Sequence, residues 1–187
     1  MGKVHDQLTE NLRKFIGRQH VFFVGTAPDE REGHLNISPK GLDTFRIIGP
    51  KSVAYLDLIG SGIETVAHLR QNGRITILFC AFEGRPLILR LQGRGRVVEP
   101  VDPEWAALIA EFPDYPGVRS VIVVDVERIA DSCGFAVPLY DYRGERPQLT
   151  DYATRKGPAA MEKYKRQQNK VSIDGIAGLR SVAGEDR

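Results

Sequence analysis

The stretch from Arg74 to Val98 constrains this chain most. Arg74 to Phe82 is almost unbroken apolar sequence, the pattern of a strand buried on both faces. Glu83-Gly84-Arg85-Pro86 supplies turn residues. Leu87 to Val98 then alternates, with Leu87, Leu89 and Leu91 on one side and Arg90, Gln92, Arg94 and Arg96 on the other. Two long strands joined by so short a turn form a hairpin, and a hairpin commits the sheet to antiparallel pairing. Gly93 and Gly95 continue the inner side, where the strand must bend or another backbone comes close.

The rest of the chain follows the same plan. Asp6 to Ile16 is expected to be a helix with Leu8, Leu12, Phe15 and Ile16 on one face. His20 to Ala27 reads as a strand, stopped by Pro28-Asp29. In His34 to Ser38, His34, Asn36 and Ser38 share one face and Leu35 and Ile37 the other, until Pro39-Lys40-Gly41 breaks the pattern. Short strands at Thr44 to Ile48 and Val53 to Ile59 come next. Asp102-Pro103 opens a second helix, with Asp102 as N-cap and an apolar face of Trp105, Leu108, Ile109 and Phe112. Val118 to Ile129 is another long strand. Thr150 to Lys170 is helical and charged, interrupted near Gly157-Pro158, and Val171 to Arg187 is Gly-rich and irregular. About six main strands and two or three short helices result. Strands outnumber crossovers, so the expected fold is mainly β: an antiparallel sheet closed into a small barrel with helices at its ends.

A length of 187 residues points to one domain, with a core of about 18–135 and a C-terminal helical extension and tail of about 150–187. The net charge of +2 gives no electrostatic footprint for nucleic acid, and no aromatic residues interleave with Arg90 to Arg96. No apolar run approaches the ~20 residues of a membrane span. Met1 to Asp6 lacks the apolar core of a signal peptide, so the expected location is cytoplasmic. Cys80 and Cys133 are then expected as reduced thiols. The histidines His5, His20, His34 and His68 show no metal-ligand spacing, and no metal is expected.

Three segments carry chemistry. Val53 to Gly73 reads as strand, Gly60-Ser61-Gly62 turn, and amphipathic helix ending at a C-terminal glycine. Ser61 and Glu64 fit a capping box, with Ser61 as N-cap. The same helix start presents backbone N–H groups and a positive dipole end suited to a phosphate, and both readings stand. Asn36-Ile37-Ser38-Pro39-Lys40-Gly41 places amide, hydroxyl and ammonium at one strand end; it is either a polar ligand wall or a plain polar turn. Arg90, Gln92, Arg94 and Arg96 form a basic stripe with no carboxylate before Glu99, either a solvated face or an anion site. Cys133, beside Gly134, reads as structural rather than as a redox thiol.

Taken in order, these motifs resemble the pyridoxamine 5′-phosphate oxidase-like family of FMN-binding split barrels. The matching segments are Gln19 to Phe23, His34 to Gly41, Ala54 to Asp57, Gly60 to Gly62, Glu64-Thr65, His68-Leu69, Asn72 to Ile75, Gly93 to Val97, Asp131 to Gly134 and Ser172 to Gly175. The resemblance implies a six-stranded antiparallel split barrel and a homodimer with FMN sites at the subunit interface. It places Asn36, Ser38, Pro39 and Lys40 along the flavin and its ribityl chain, and Tyr55, Leu56 and Asp57 at the ring edge. Ser61, Gly62, Glu64 and Thr65 would stand near the ribityl chain and the phosphate. Arg90, Gln92 or Arg94 would complete the site, from the same or the other subunit.

Pyridoxamine phosphate oxidases proper carry a C-terminal Arg- and Trp-containing substrate motif. This chain ends Arg180-Ser181-Val182-Ala183-Gly184-Glu185-Asp186-Arg187, and its single Trp is Trp105. The resemblance therefore points to the wider family, in which a flavin or deazaflavin exchanges hydride or electrons with a small-molecule substrate. No residue stands out as a protein base or nucleophile. The expectation is an FMN-binding oxidoreductase. The alternatives are a flavin carrier or sensor without turnover, or a deazaflavin-dependent reductase on the same barrel.

Overall fold

The computed structural model describes residues 2–29 and 31–182. The closing segment Ala183 to Arg187, expected to be irregular, lies outside the described residues. Eight strands form one sheet: β1 (Val4–His5), β2 (Phe22–Thr26), β3 (Asn36–Lys40), β4 (Phe45–Ile47), β5 (Ser52–Leu58), β6 (Arg74–Cys80), β7 (Ile88–Val98) and β8 (Val118–Ser132). The helices are α1 (Glu10–Ile16), α2 (Glu64–Asn72), α3 (Trp105–Ile109) and α4 (Gln148–Gln168). All strand pairs are antiparallel, in the order β3-β2-β6-β7-β8-β5-β4, with β1 added on β8.

This order forces the sheet to curl. The two edge strands, β3 and β4, are consecutive in the chain, ending at Lys40 and starting at Phe45. Five residue steps span at most about 18 Å. Seven strands laid flat would set the edges about 29 Å apart. The edges therefore swing toward each other, and the Phe22 and Phe45 rings meet at 5.1 Å inside. The result is the antiparallel split barrel expected from the sequence, with eight strands rather than six. The two-residue β1 is too short to leave a sequence pattern. β8 also runs three residues past Ile129, because Ile88, Leu89 and Arg90 give Ser132, Asp131 and Ala130 partners in β7.

The barrel interior is apolar. Phe22, Val24, Val53, Tyr55, Ile77, Leu89, Leu91, Ile122 and Val124 fill it, and Leu12, Phe15 and Ile16 of α1 close one end. The other face of β5 and β8 packs Ala54, Leu56, Val121 and Val123 against Phe112 and α3. The hairpin β6–β7 forms as its alternation implies, and the two inner glycines have physical reasons. A Cβ on Gly93 would collide with the Asp125 backbone oxygen at a bulge between Gln92 and Gly93. On Gly95 it would meet Leu69 of α2 at 2.8 Å. Gly73 ends α2 in the left-handed region at φ 69°, its N–H donating to the Leu69 carbonyl at 3.0 Å.

Helix starts differ from the sequence reading. α1 begins at Glu10, not Asp6, with Thr9 as its N-cap, so Leu8 lies before the helix. α2 begins at Glu64 with Ile63, not Ser61, at the N-cap, and no side chain caps it. Ile63 is buried in the core, and burying it is worth more than a cap of about 1 kcal/mol. α3 begins at Trp105, not after Asp102. The Asp102 carboxylate instead accepts from the Glu99 N–H at 2.9 Å and pairs with Arg180. The interruption in α4 falls at Gly157 (φ 76°, ψ 167°), where the following Pro158 disfavours helical backbone.

The C-terminal tail is a tie across the barrel. Leu179 and Val182 join the main core. The Arg180 and Ser181 N–H groups donate to the fully buried Glu99 carboxylate at 3.0 and 2.9 Å, and Arg70 also donates to it. No helix among the described residues is long and apolar enough to cross a membrane.

Candidate functional site

A cavity of about 1230 Å³ opens between β3, the end of β5 and the start of α2. It is larger than the ~300–1000 Å³ of ordinary small-molecule sites.

β3 supplies one wall. Its alternation turns Leu35 and Ile37 outward, 77% and 74% exposed, and turns Asn36, Ser38 and Lys40 toward the cavity. Asn36 Nδ2 donates to Thr65 Oγ1 at 3.0 Å, tying β3 to α2. Ser38 Oγ donates to Asn36 Oδ1 at 3.2 Å. Behind them Thr26 Oγ1 meets His68 Nδ1 at 3.0 Å. This polar seam holds the β3 side chains in fixed positions.

The turn and the start of α2 supply the facing wall, with Ser61, Gly62, Glu64 and Thr65 on the cavity. Because no side chain caps α2, its first-turn N–H groups and dipole face this region without a carboxylate or hydroxyl cap. The Glu64 carboxylate reaches the tail instead, accepting from the Ile173 N–H at 3.3 Å.

A buried charge cluster forms the floor. Asp57, with no exposure, accepts from Arg119 Nε at 2.6 Å, Arg119 Nη2 at 3.2 Å and Ser120 Oγ at 3.1 Å. Lys40 Nζ lies 3.5 Å from its other oxygen. Burial alone would push the Asp57 carboxyl up; the charges of Arg119 and Lys40 and the bonds from Arg119 and Ser120 overcome this and hold it below its usual range. Arg119 Nη1 also donates to the Gly60 carbonyl at 3.3 Å, and Asn169 Nδ2 to the same oxygen at 2.9 Å. The turn is thus held from below by Arg119 and from the side by the tail.

The structure brings together on the cavity Asn36, Ser38, Pro39, Lys40, Leu56, Ser61, Gly62, Glu64 and Thr65 of the residues singled out in the sequence. Asp57 sits just beneath them. Tyr55 is elsewhere: strand alternation points it into the barrel core beside Phe22, and its hydroxyl has no hydrogen-bond partner among the described residues. Arg90, Gln92 and Arg94 do not line this cavity. Arg90 donates to Ser132 Oγ at 2.9 Å, Gln92 accepts from Arg128, and Arg94 pairs with Glu127. Arg96 pairs with Glu104. The carboxylates absent from the stripe itself come from β8 and the residues before α3. Arg119 is the residue that sequence reading passed over; its only mark was an arginine just before the apolar run Val121 to Val124.

A segment with no assigned role also borders the cavity. Tyr140 to Arg146, between β8 and α4, lines the cavity. The Tyr142 ring stacks on His20 at 3.5 Å and 4°, and Tyr140 stacks on Phe82 at 5.4 Å.

A sequence model described as pyridoxamine 5′-phosphate oxidase matches residues 8–133. The pyridoxamine 5′-phosphate oxidase family protein ustO of Aspergillus flavus is 39% identical over 197 residues, covering 95% of this chain and 78% of that protein. Among solved structures, a variant of HupZ from Group A Streptococcus has a TM-score of 0.52 at 22% identity, over 67% of this chain and 99% of that one. A putative pyridoxamine 5′-phosphate oxidase from Lactobacillus delbrueckii gives 0.52 at 17% identity, over 68% and 98%. At these identities the two structures speak to the fold alone.

Proposed function

The chain belongs to the pyridoxamine 5′-phosphate oxidase family, and on that footing we propose that it binds FMN and passes hydride or electrons between the flavin and a small molecule. One observation carries the reading: the polar face of β3, the uncapped start of α2 and the Lys40–Asp57–Arg119 cluster converge on one cavity. The donor set suits the cofactor. Backbone N–H groups of α2 with the Ser61 and Thr65 hydroxyls would hold a phosphate. Asn36 and Ser38 would hydrogen-bond the ribityl chain or ring edge. Lys40 adds a cation that Asp57 keeps in place. When bound, the flavin supplies the redox chemistry; the protein supplies binding, orientation and electrostatics.

The stripe on β7 lies off this chain's own cavity, and Arg94 and Arg96 are paired with Glu127 and Glu104. A homodimer is part of the proposal. The outward Leu35 and Ile37 beside the cavity are an apolar strip on a sheet edge, which supports an interface there. Light scattering on the purified protein should give twice the chain mass.

The cofactor reading is tested by purifying the protein, denaturing it and measuring released flavin, then titrating FMN back. Lys40→Ala should raise the FMN Kd about tenfold or more, the loss of one charge-assisted contact of roughly 1.5–3 kcal/mol. Unchanged affinity removes Lys40 from the site. A colourless protein whose melting temperature FMN does not raise sinks the proposal. A nicotinamide oxidation assay separates an enzyme from a carrier, since a carrier binds FMN without acceptor-dependent turnover.

A further inference from the structure

A second cavity, of about 570 Å³, opens between α3, the loop that leads into β8, and α4. Its volume falls within the ~300–1000 Å³ of small-molecule sites. No residue lines both cavities. Leu58 and Val118 are partners across β5 and β8, yet Leu58 borders the first and Val118 the second. Two apolar clusters face this cleft without joining across it. Trp105, Ile109, Phe112 and Tyr115 belong to one, and Ala153 and Met161 to the other. α3 has no buried residue, and its Trp105 and Ile109 stay half-buried. The break in α4 keeps the space open. Gly157, at φ 76°, stands where the two helical segments meet, and it lines the cleft together with Pro158. Glycine sends no side chain into the space, and the small Ala153 and Thr154 come one turn before it.

The polar groups on this lining are few, and several are engaged. Lys165 Nζ donates to Glu162 Oε1 at 2.7 Å, which cancels both charges. The Tyr115 hydroxyl accepts from the Asp43 N–H at 3.2 Å. The Asp114 carboxylate, the Thr154 hydroxyl and the Trp105 indole N–H have no side-chain hydrogen bond or ion pair among the described residues. The uncompensated charge on the cleft is therefore negative. Aromatic faces add to it, because the ring quadrupole attracts cations. Phe112 already carries Arg46 of this chain at 5.1 Å, which leaves the rings of Trp105 and Tyr115. Apolar walls, aromatic faces and one open carboxylate suit a molecule with an apolar body and a positive end. An anion would meet only Lys165, the one cation on the lining, already held by Glu162.

We infer that this cleft is a second ligand site and that it takes an apolar amine, the body lying between Trp105, Ile109 and Met161 and the ammonium against Asp114. The site stands apart from the proposed flavin seat and does not rest on the flavin reading.

The test uses three probes that share one dansyl group: dansylcadaverine, which carries an ammonium, uncharged dansylamide, and anionic dansylglycine. Each is titrated into the full-length protein at neutral pH, and binding is read by the rise in dansyl emission. Dansylcadaverine should bind about tenfold more tightly than dansylglycine, with dansylamide between them. Asp114→Asn should bring dansylcadaverine down to the affinity of dansylamide and leave dansylamide unchanged. Thr154→Trp, which fills the cleft from α4, should weaken dansylcadaverine and dansylamide about tenfold or more. Both positions are exposed, and melting temperatures check that the variants fold. Saturating FMN should displace none of the probes. Equal binding of the three probes overturns the inference, as does binding that survives Thr154→Trp. Displacement by FMN puts the probe in the first cavity and overturns it too. Absence of binding by any probe also overturns it; a lower mass for Thr154→Trp than for the parent in light scattering then gives the cleft to a second copy of the chain. The filled variant locates the probe whether or not the protein holds FMN, so failure of the flavin reading and failure of this inference are told apart.

Discussion

Arg119 Nε lies 2.6 Å from Asp57 Oδ2, and the two residues stand on neighbouring strands at the floor of the cavity with almost no solvent contact. The pair fixes more than itself. Through its second arm Arg119 holds the Gly60 carbonyl, and through its second oxygen Asp57 holds Lys40. One buried carboxylate thus positions the turn before α2 and the ammonium at the end of β3.

Asp57→Asn should cost about 3–5 kcal/mol, because it leaves Arg119 buried without a counter-charge. It should also change the acid limb of stability. The folded protein holds Asp57 below its ordinary 3.8, so the unfolded chain binds the proton more readily. Stability from this group is complete above that value and is lost as pH falls through the folded one. Urea unfolding at a series of pH values should show a shallower acid decline in the variant than in the parent. Parallel curves would remove Asp57 from the acid response.

Tyr55→Phe should stabilise the protein. The hydroxyl is fully buried and unpartnered among the described residues, and such a group costs about 1–3 kcal/mol. A gain of about 1 kcal/mol, or roughly 2–4 °C in melting temperature, is expected. FMN affinity should not change, since the ring lies off the cavity. A lower melting temperature would show that the hydroxyl has a partner after all.

Gly93→Ala should be far more damaging than Gly84→Ala. The added methyl at Gly93 meets the Asp125 backbone, which cannot move without opening the β7–β8 pairing, whereas nothing stands within 4 Å at Gly84. Gly84 has φ 67°, so alanine there carries only the backbone penalty of about 1 kcal/mol. The expected loss at Gly93 is about 3 kcal/mol or more. Chemical denaturation of the two variants side by side decides it.

Glu99→Gln should free the tail. The carboxylate is buried and accepts two tail N–H groups and Arg70, which hold it ionised below its usual range against the cost of burial. The amide can serve only some of them, at a cost of about 3 kcal/mol. Brief proteolysis should cut the variant within residues 170–182 under conditions that leave the parent whole.

What could be read from the sequence was what is local. The β6–β7 hairpin, the Gly73 stop and the break before Pro158 each depend on a few adjacent residues, and each formed as expected. Asn36 and Ser38 were legible because alternation along β3 needs no knowledge of its partners; Lys40 was expected in a turn, but pairing with Phe22 and Phe23 of β2 carries the strand on through Pro39 and Lys40. Arg119 was not, because its role exists only once β8 lies beside β5 and brings Ser120 opposite Asp57. The same limit explains the β7 stripe. Arg94 and Arg96 look unpaired along their own strand, and their carboxylates, Glu127 and Glu104, arrive from elsewhere in the chain. Tyr55 misled for a related reason. Its neighbours Leu56 and Asp57 do reach the site, but one step along a strand reverses the face.

The tail also sets an order of events during synthesis. Every strand of the barrel has been made by the time Ser132 is added, yet the Gly60 carbonyl waits for Asn169, Glu64 for Ile173, His34 for Asp174, and Glu99 for Ser181. The nascent chain therefore owns a complete sheet before it owns a finished cavity wall. A chain cut or stalled after Gln168 would be a barrel whose turn and helix start lack their last restraints, so the wall of the proposed cofactor site is completed later than the sheet that carries it.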